Sequence, residues 1–175
     1  MSLNDLARTL PDYAKDLRLN LSSLLTEQGL TDQQKYGCIV ACAHAASYRP
    51  LIVEAEADAA AKLTEAGMTA AKAAASIMAM NNIYYRFIHL AANKEYSTRP
   101  AKLRMNVIGA PGIDKADFEL FSLAVSAVNG CGMCIDAHEK VLLAAGMSID
   151  TIQTAVRIAA VIHAIARSLQ ALPQA

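Results

Sequence analysis

Tryptophan is absent from this sequence, phenylalanine occurs three times, and neither sign of charge is in excess. Lysine plus arginine number 16, and aspartate plus glutamate also number 16. That balance argues against a nucleic-acid or membrane-surface partner, which would call for a basic face. The nearest basic grouping, Arg99, Lys102 and Arg104, reads as a solvated loop. The start, Met1-Ser2-Leu3-Asn4-Asp5, has neither the basic nor the apolar region of a secretory signal, so the expected compartment is the cytoplasm. The most apolar long stretch, 70–92, is interrupted by Lys72, Asn81, Asn82, Arg86 and His89 and makes a poor membrane span. A glycine-rich dinucleotide loop is missing, so no bound flavin or nicotinamide is expected. No stretch carries a convincing strand pattern.

What remains is apolar and helical. Apolar residues make up 54% of 175, many of them alanine, which favours helix and close helix packing. The expectation is one all-α domain over 1–175. Pro11 suits the first turn of a helix over about 11–22. Thr31-Asp-Gln-Gln34 fits a capping box and opens a helix to about 47. Pro50 begins another to about 65, ended by Gly67, and Thr69 caps a long helix to about 92. Residues 93–112, with Pro100 and Pro111-Gly112, form the one long irregular stretch. Asp114 caps a helix stopped by Asn129-Gly130, a further helix runs from about 132 to Gly146, and Ser148 caps the last, to about 171.

The order medium, medium, long thus occurs twice, over about 30–92 and 113–171, and suggests two similar halves packed as one bundle. In that register Tyr48 and Leu51 stand where the second half has Cys131 and Cys134. Several helices are apolar nearly all round, which points to self-association.

Four cysteines in a reducing compartment suggest free thiols, a metal or redox chemistry. Cys131-Gly132-Met133-Cys134 lies where one helix stops and the next starts. Free N–H groups and the positive dipole end lower a thiol's pKa there, and two cysteines at this spacing can close a disulfide with little movement. His138 follows Cys134 by one helical turn and can move a proton near neutral pH. Glu119 lies on the preceding helix. If the two helices fold back on the Asn129-Gly130 turn, Glu119 lies about 16 Å back from it and His138 about 10 Å forward, so the two could meet. A carboxylate–imidazole–thiol chain activates a cysteine. Ser122 and Ser126 share the Glu119 face.

Two other readings compete. The cysteine pair could be small core side chains, or Cys-x2-Cys-x3-His could be three ligands of a zinc enzyme, completed by Glu119, His44 or His163. Cys38 and Cys42, one turn apart among apolar neighbours, read as core. His44, His89 and His163 read as satisfied packing residues, and Met78, Met80 and Met105 as core. Asn81-Asn82 with Tyr84-Tyr85-Arg86 is an odd polar patch in an apolar helix, suited to a subunit contact or to buried capping of a neighbour.

Cys131-x-x-Cys134-x-x-x-His138 with Glu119 resembles the alkyl hydroperoxidase D (AhpD) family of the carboxymuconolactone decarboxylase-like superfamily. The resemblance extends to Pro11-Asp-Tyr-Ala-Lys-Asp16, Leu19-Asn-Leu-Ser-Ser23, Met78-Ala-Met-Asn-Asn82, Leu103-Arg-Met-Asn106, Phe118-Glu119-Leu120 and Val125-Ser-Ala-Val-Asn-Gly-Cys131. It implies an all-helical, duplicated fold assembled as a homotrimer. It also implies a thiol-dependent antioxidant enzyme, an alkyl hydroperoxide reductase. The cycling pair would be a Cys131–Cys134 disulfide, with Cys134 the peroxidatic nucleophile and Cys131 the resolving residue. Glu119 and His138 would form the proton relay. Implied partners are alkyl hydroperoxide substrates, an oxidised AhpC-type peroxiredoxin, and a dihydrolipoyl acyltransferase whose dihydrolipoyl groups donate the electrons. Members often carry a histidine between the cysteines, where this chain has Met133. Helix geometry alone suggests the opposite assignment, because Cys131 at the cap should be the more exposed sulfur. The family resemblance and the nearness of Cys134 to His138 favour Cys134.

Overall fold

A computed structural model describes residues 1–173, so the last two of the expected 1–175 domain lie outside the described residues. Among the described residues the chain forms helices and no strands. They are α1 (Leu3–Arg8), α2 (Lys15–Thr26), α3 (Asp32–Ala46), α4 (Arg49–Ala59), α5 (Glu65–Leu90), α6 (Asn106–Gly109), α7 (Lys115–Asn129), α8 (Gly132–Ala144) and α9 (Ile149–Gln170), with 3₁₀ turns at Asp12–Ala14 and Lys94–Thr98.

The helix starts are set by side chains that accept orphan N–H groups. Thr31 and Gln34 form the expected capping box. Asp114 accepts from Ala116 and Asp117, and Ser148 accepts from Thr151. Three expectations need correction: α4, expected to run from Pro50 to about 65, spans Arg49–Ala59, and two helix starts differ. Pro11 precedes a 3₁₀ turn, and the helix proper begins at Lys15 and runs to Thr26. Thr64, not Thr69, caps α5, because its hydroxyl accepts from the Gly67 N–H at 3.0 Å. Gly67 therefore lies inside α5 rather than between helices, unlike Gly146, which turns the chain at φ 82°.

α3, α5, α7 and α9 form the centre of the bundle, and α7 touches the other three. Phe118, Phe121, Leu120, Leu123, Ile39, Ile158 and Ile162 fill it. α3 crosses α7 closely because Gly37 has no side chain, and a Cβ there would run into the Phe121 ring. α9, rather than 70–92, is the one described helix long and apolar enough to cross a membrane, and Ile158, Ile162 and Ile165 on it belong to the core. α8 folds back along α7 and also meets α5, so the start of α8 sits against both.

Candidate active site

The corner between α7 and α8 is built by one residue that leaves the helical region. Gly130 takes φ 69°, a left-handed conformation that glycine adopts without steric cost. The Gly130 N–H donates to the Ala127 carbonyl at 3.2 Å, and the Cys131 N–H donates to the Ser126 carbonyl at 3.1 Å. Cys131 is then extended and caps α8, its sulfur accepting from the Cys134 N–H at 3.3 Å. The two cysteines are joined by a disulfide with Cα atoms 5.3 Å apart. Cys131 is fully buried, whereas Cys134 keeps 6% of its surface. This reverses the expectation that the cap residue is the more exposed, because the Cys131 side chain turns inward over the first turn of α8.

Glu119 and His138 do meet across the helix pair. The His138 Nδ1 lies 2.6 Å from the Glu119 Oε2, and both residues are buried. A carboxylate out of water is costly unless hydrogen-bonded, and the imidazole supplies that bond. With Nδ1 committed to Glu119, Nε2 is the nitrogen free to exchange a proton. Its neighbour is the Met78 Sδ at 3.3 Å, a weak acceptor that a better one can replace. Cys134 Sγ lies 4.0 Å from the Asn81 backbone carbonyl. The Asn81 Oδ1 and Ser122 Oγ are buried without a hydrogen-bond partner among the described residues.

Three elements therefore form the candidate site: α7 gives Glu119, α8 gives the cysteines and His138, and α5 meets them with Met78 at His138 and the Asn81 carbonyl at Cys134. The polar patch expected as a subunit contact or a buried cap includes a buried cap. Asn82 donates to the Ser126 Oγ and accepts from the Asn129 Nδ2, both at 2.9 Å, and Arg86 donates to the Asn129 carbonyl at 2.6 Å. Met78 is core by burial, yet it also touches His138, a contact its sequence setting did not announce. Met80 and Met105, expected in the core, are only half-buried. The one available signal for the α5 residues was the run of polar side chains in an otherwise apolar helix.

The remaining residues stand apart from the site. Cys38 and Cys42 are free thiols at 0% exposure, as expected of core residues. Burial pushes both thiols upward, and Cys42 and Asp117 add to the rise at Cys38. His44 is satisfied by Glu56 at 2.7 Å. His89 and His163 do not fit the packing expectation: His89 is exposed, and the His163 Nδ1 has no partner among the described residues. Burial, and then the Arg167 charge, lower the His163 pKa. None of the proposed fourth zinc ligands is brought to the cysteines. Glu119 faces His138, His44 faces Glu56, and no group of three or more His, Cys, Asp or Glu side chains is gathered for a metal among the described residues.

The carboxymuconolactone decarboxylase family model matches residues 94–175, which hold Glu119, Cys131, Cys134 and His138. A Rhizorhabdus wittichii protein named alkyl hydroperoxide reductase AhpD is 63% identical over 166 residues, covering 95% of this chain and 96% of its own. This chain belongs to the AhpD family. Proteins of the same name from Rhodopseudomonas palustris and Brucella anthropi are each 60% identical over 171 residues, covering 98% of this chain and 94% and 98% of their own. Within the AhpD frame the disulfide at the start of α8 lies where the CxxC motif predicts it.

Proposed function

We propose that this protein is an alkyl hydroperoxide reductase whose working couple is the Cys131–Cys134 dithiol and disulfide. The observation that carries the reading is the disulfide at a helix start, next to a buried Glu119–His138 pair. In the reduced enzyme the Cys134 thiolate attacks the terminal oxygen of ROOH. A sulfur–oxygen bond forms, the O–O bond breaks, and the alkoxide leaves as ROH after taking a proton. The sulfenic acid on Cys134 is then attacked by the Cys131 sulfur, which expels water and closes the disulfide. Two electrons from an external dithiol restore the thiols.

Cys134 suits the first step because it retains the exposure of the pair and lies one turn before His138. His138, oriented by Glu119, takes the thiol proton and returns it to the leaving oxygen. The helix start favours the thiolate. Asn81 and Ser122 offer buried polar oxygens to a peroxide or water.

The family resemblance extends the reading to the donor and partners. Dihydrolipoyl groups of an acyltransferase supply the electrons, and an AhpC-type peroxiredoxin is re-reduced. The unpaired Cys38 and Cys42 suit the reducing cytoplasm. A homotrimer belongs to the same reading, supported by Ile83, Phe87 and Leu90, which expose apolar surface at helical spacing on α5. Peroxide consumption with dihydrolipoamide, with and without a peroxiredoxin, tests the function. A stoichiometric, chelator-sensitive zinc that activity requires would replace this reading with the metal enzyme. Light scattering under reducing conditions tests the assembly, and a clean monomer at micromolar concentration would defeat the trimer.

A further inference from the structure

Asn82 and Arg86 are one turn apart on α5, and both reach the last turn of α7. Asn82 is 1% exposed, and both ends of its amide are used, one on the Ser126 hydroxyl and one on the Asn129 side chain. Arg86 holds the Asn129 carbonyl, and its guanidinium pairs with no carboxylate among the described residues. The Ser126 carbonyl in turn accepts from the Cys131 N–H. Hydroxyl, amide and carbonyl of one short segment, 126–129, are thus anchored from a helix more than 40 residues away in sequence. The next residue is Gly130, which has the freest backbone in the corner, and Cys131 follows it.

We infer that Asn82 and Arg86 are positioning residues that set the balance between the Cys131–Cys134 disulfide and its dithiol. A disulfide requires Cα atoms about 4.4–6.8 Å apart with matching side-chain directions, whereas two thiols tolerate a wider range. Here the separation is 5.3 Å. A clasp that stiffens the turn at that separation raises the effective concentration of one sulfur at the other, so it stabilises the oxidised form more than the reduced one. Arg86 and Asn129 also line a cleft of about 450 Å³ between α3 and α5, so Arg86 can be altered without opening the core.

The inference rests on the reading that this pair cycles. The test equilibrates Asn82→Ala, Arg86→Met and Arg86→Lys proteins with mixtures of lipoamide and dihydrolipoamide. The oxidised fraction is read by thiol alkylation and mass spectrometry. Thermal unfolding of the fully oxidised and fully reduced forms is measured alongside. We expect Asn82→Ala and Arg86→Met to shift the equilibrium several-fold towards the dithiol, with the roughly tenfold worth of one buried hydrogen bond as the upper limit, and Arg86→Lys to restore most of it. The oxidised form should lose more thermal stability than the reduced form. If Asn82→Ala does not fold, Arg86→Met decides, because its side chain is partly exposed. An unchanged equilibrium with equal stability loss in both forms, or a shift towards the disulfide, overturns the inference. If wild-type protein fails to exchange with dihydrolipoamide, the proposed donor is wrong, and the same ratios measured in a glutathione buffer still decide the role of the clasp.

Discussion

At the corner between α3 and α4, Ser47 turns the chain with φ 56° and Tyr48 follows extended at φ −104°, ψ 107°. At the corner between α7 and α8, Gly130 turns it with φ 69° and Cys131 follows at φ −98°, ψ 91°. In each, the extended residue stands at the N-cap position of the next helix, though only the Cys131 side chain makes a capping bond, and the residue three further on is buried, Leu51 in one and Cys134 in the other. Counted from the turn residue, Tyr36 stands where the second corner has Glu119, and Ala55 where it has His138. Near-identical backbones thus carry different contents. The same left-handed turn and extended residue occur with and without sulfur, so on the proposed mechanism it is the cysteine pair and the Glu119–His138 contact, not the corner itself, that make one of them reactive.

The largest effect expected at the reactive corner comes from its sulfurs. Cys134→Ser should reduce peroxide turnover by roughly 10³-fold or more, as removal of a nucleophile does. Cys131→Ser should still react once, and mass spectrometry should then find a sulfenic acid on Cys134 and no disulfide. The relay comes next. Glu119→Gln and His138→Phe should each slow the reaction with peroxide by roughly 10²–10⁴-fold. Because they act as one unit, stopped-flow rates of the double variant should be little worse than those of the poorer single.

The sulfurs can also be moved to the other corner. In a Cys131→Ser, Cys134→Ser background, Tyr48→Cys with Leu51→Cys should form a disulfide under a strong oxidant, since the corner geometry is the same. It should not turn over peroxide, because Ala55, where the second corner has His138, cannot take the thiol proton. Thiol titration and a peroxide assay check both halves of the expectation.

The smallest effect belongs to the core thiols. Cys38→Ser with Cys42→Ser should keep activity within about twofold and cost about 1–3 kcal/mol of stability for burying two hydroxyls. Burial raises both thiol pKa values above the ordinary 9.0. The unfolded chain therefore releases these protons first as pH rises past about 9, so stability from this source is complete below that pH and falls above it. Denaturant titrations at pH 8 and pH 10 should show a smaller loss in the double variant.

The fold and the centre of the site were legible to different depths. Thr31, Asp114, Gly130 and Ser148 marked their helix ends because the capping atoms lie within a few residues of the N–H and carbonyl groups they satisfy. The α5 start was misplaced because Thr64 and Thr69 are both good caps, and Gly67 looks like a stop when its N–H is in fact the group being capped. The short α6 and the 3₁₀ turn at Lys94–Thr98 have no periodic pattern long enough to detect. Glu119, Cys131, Cys134 and His138 were legible because all four lie within one helix pair. Met78, Asn82 and Arg86 reach the site by tertiary packing, which leaves no spacing to read, and the inward turn of Cys131 is a packing outcome as well.

On this mechanism one peroxide consumes the two thiols at the start of α8 and no others. The direct measurement is a single turnover: fully reduced protein mixed with substoichiometric alkyl hydroperoxide, quenched with an alkylating agent, unfolded, and mapped by mass spectrometry. Two thiols should be lost per peroxide, both from Cys131 and Cys134, with Cys38 and Cys42 fully recovered. Peroxide reduced with the Cys131 and Cys134 thiols intact, or thiols lost from Cys38 and Cys42 instead, would contradict it.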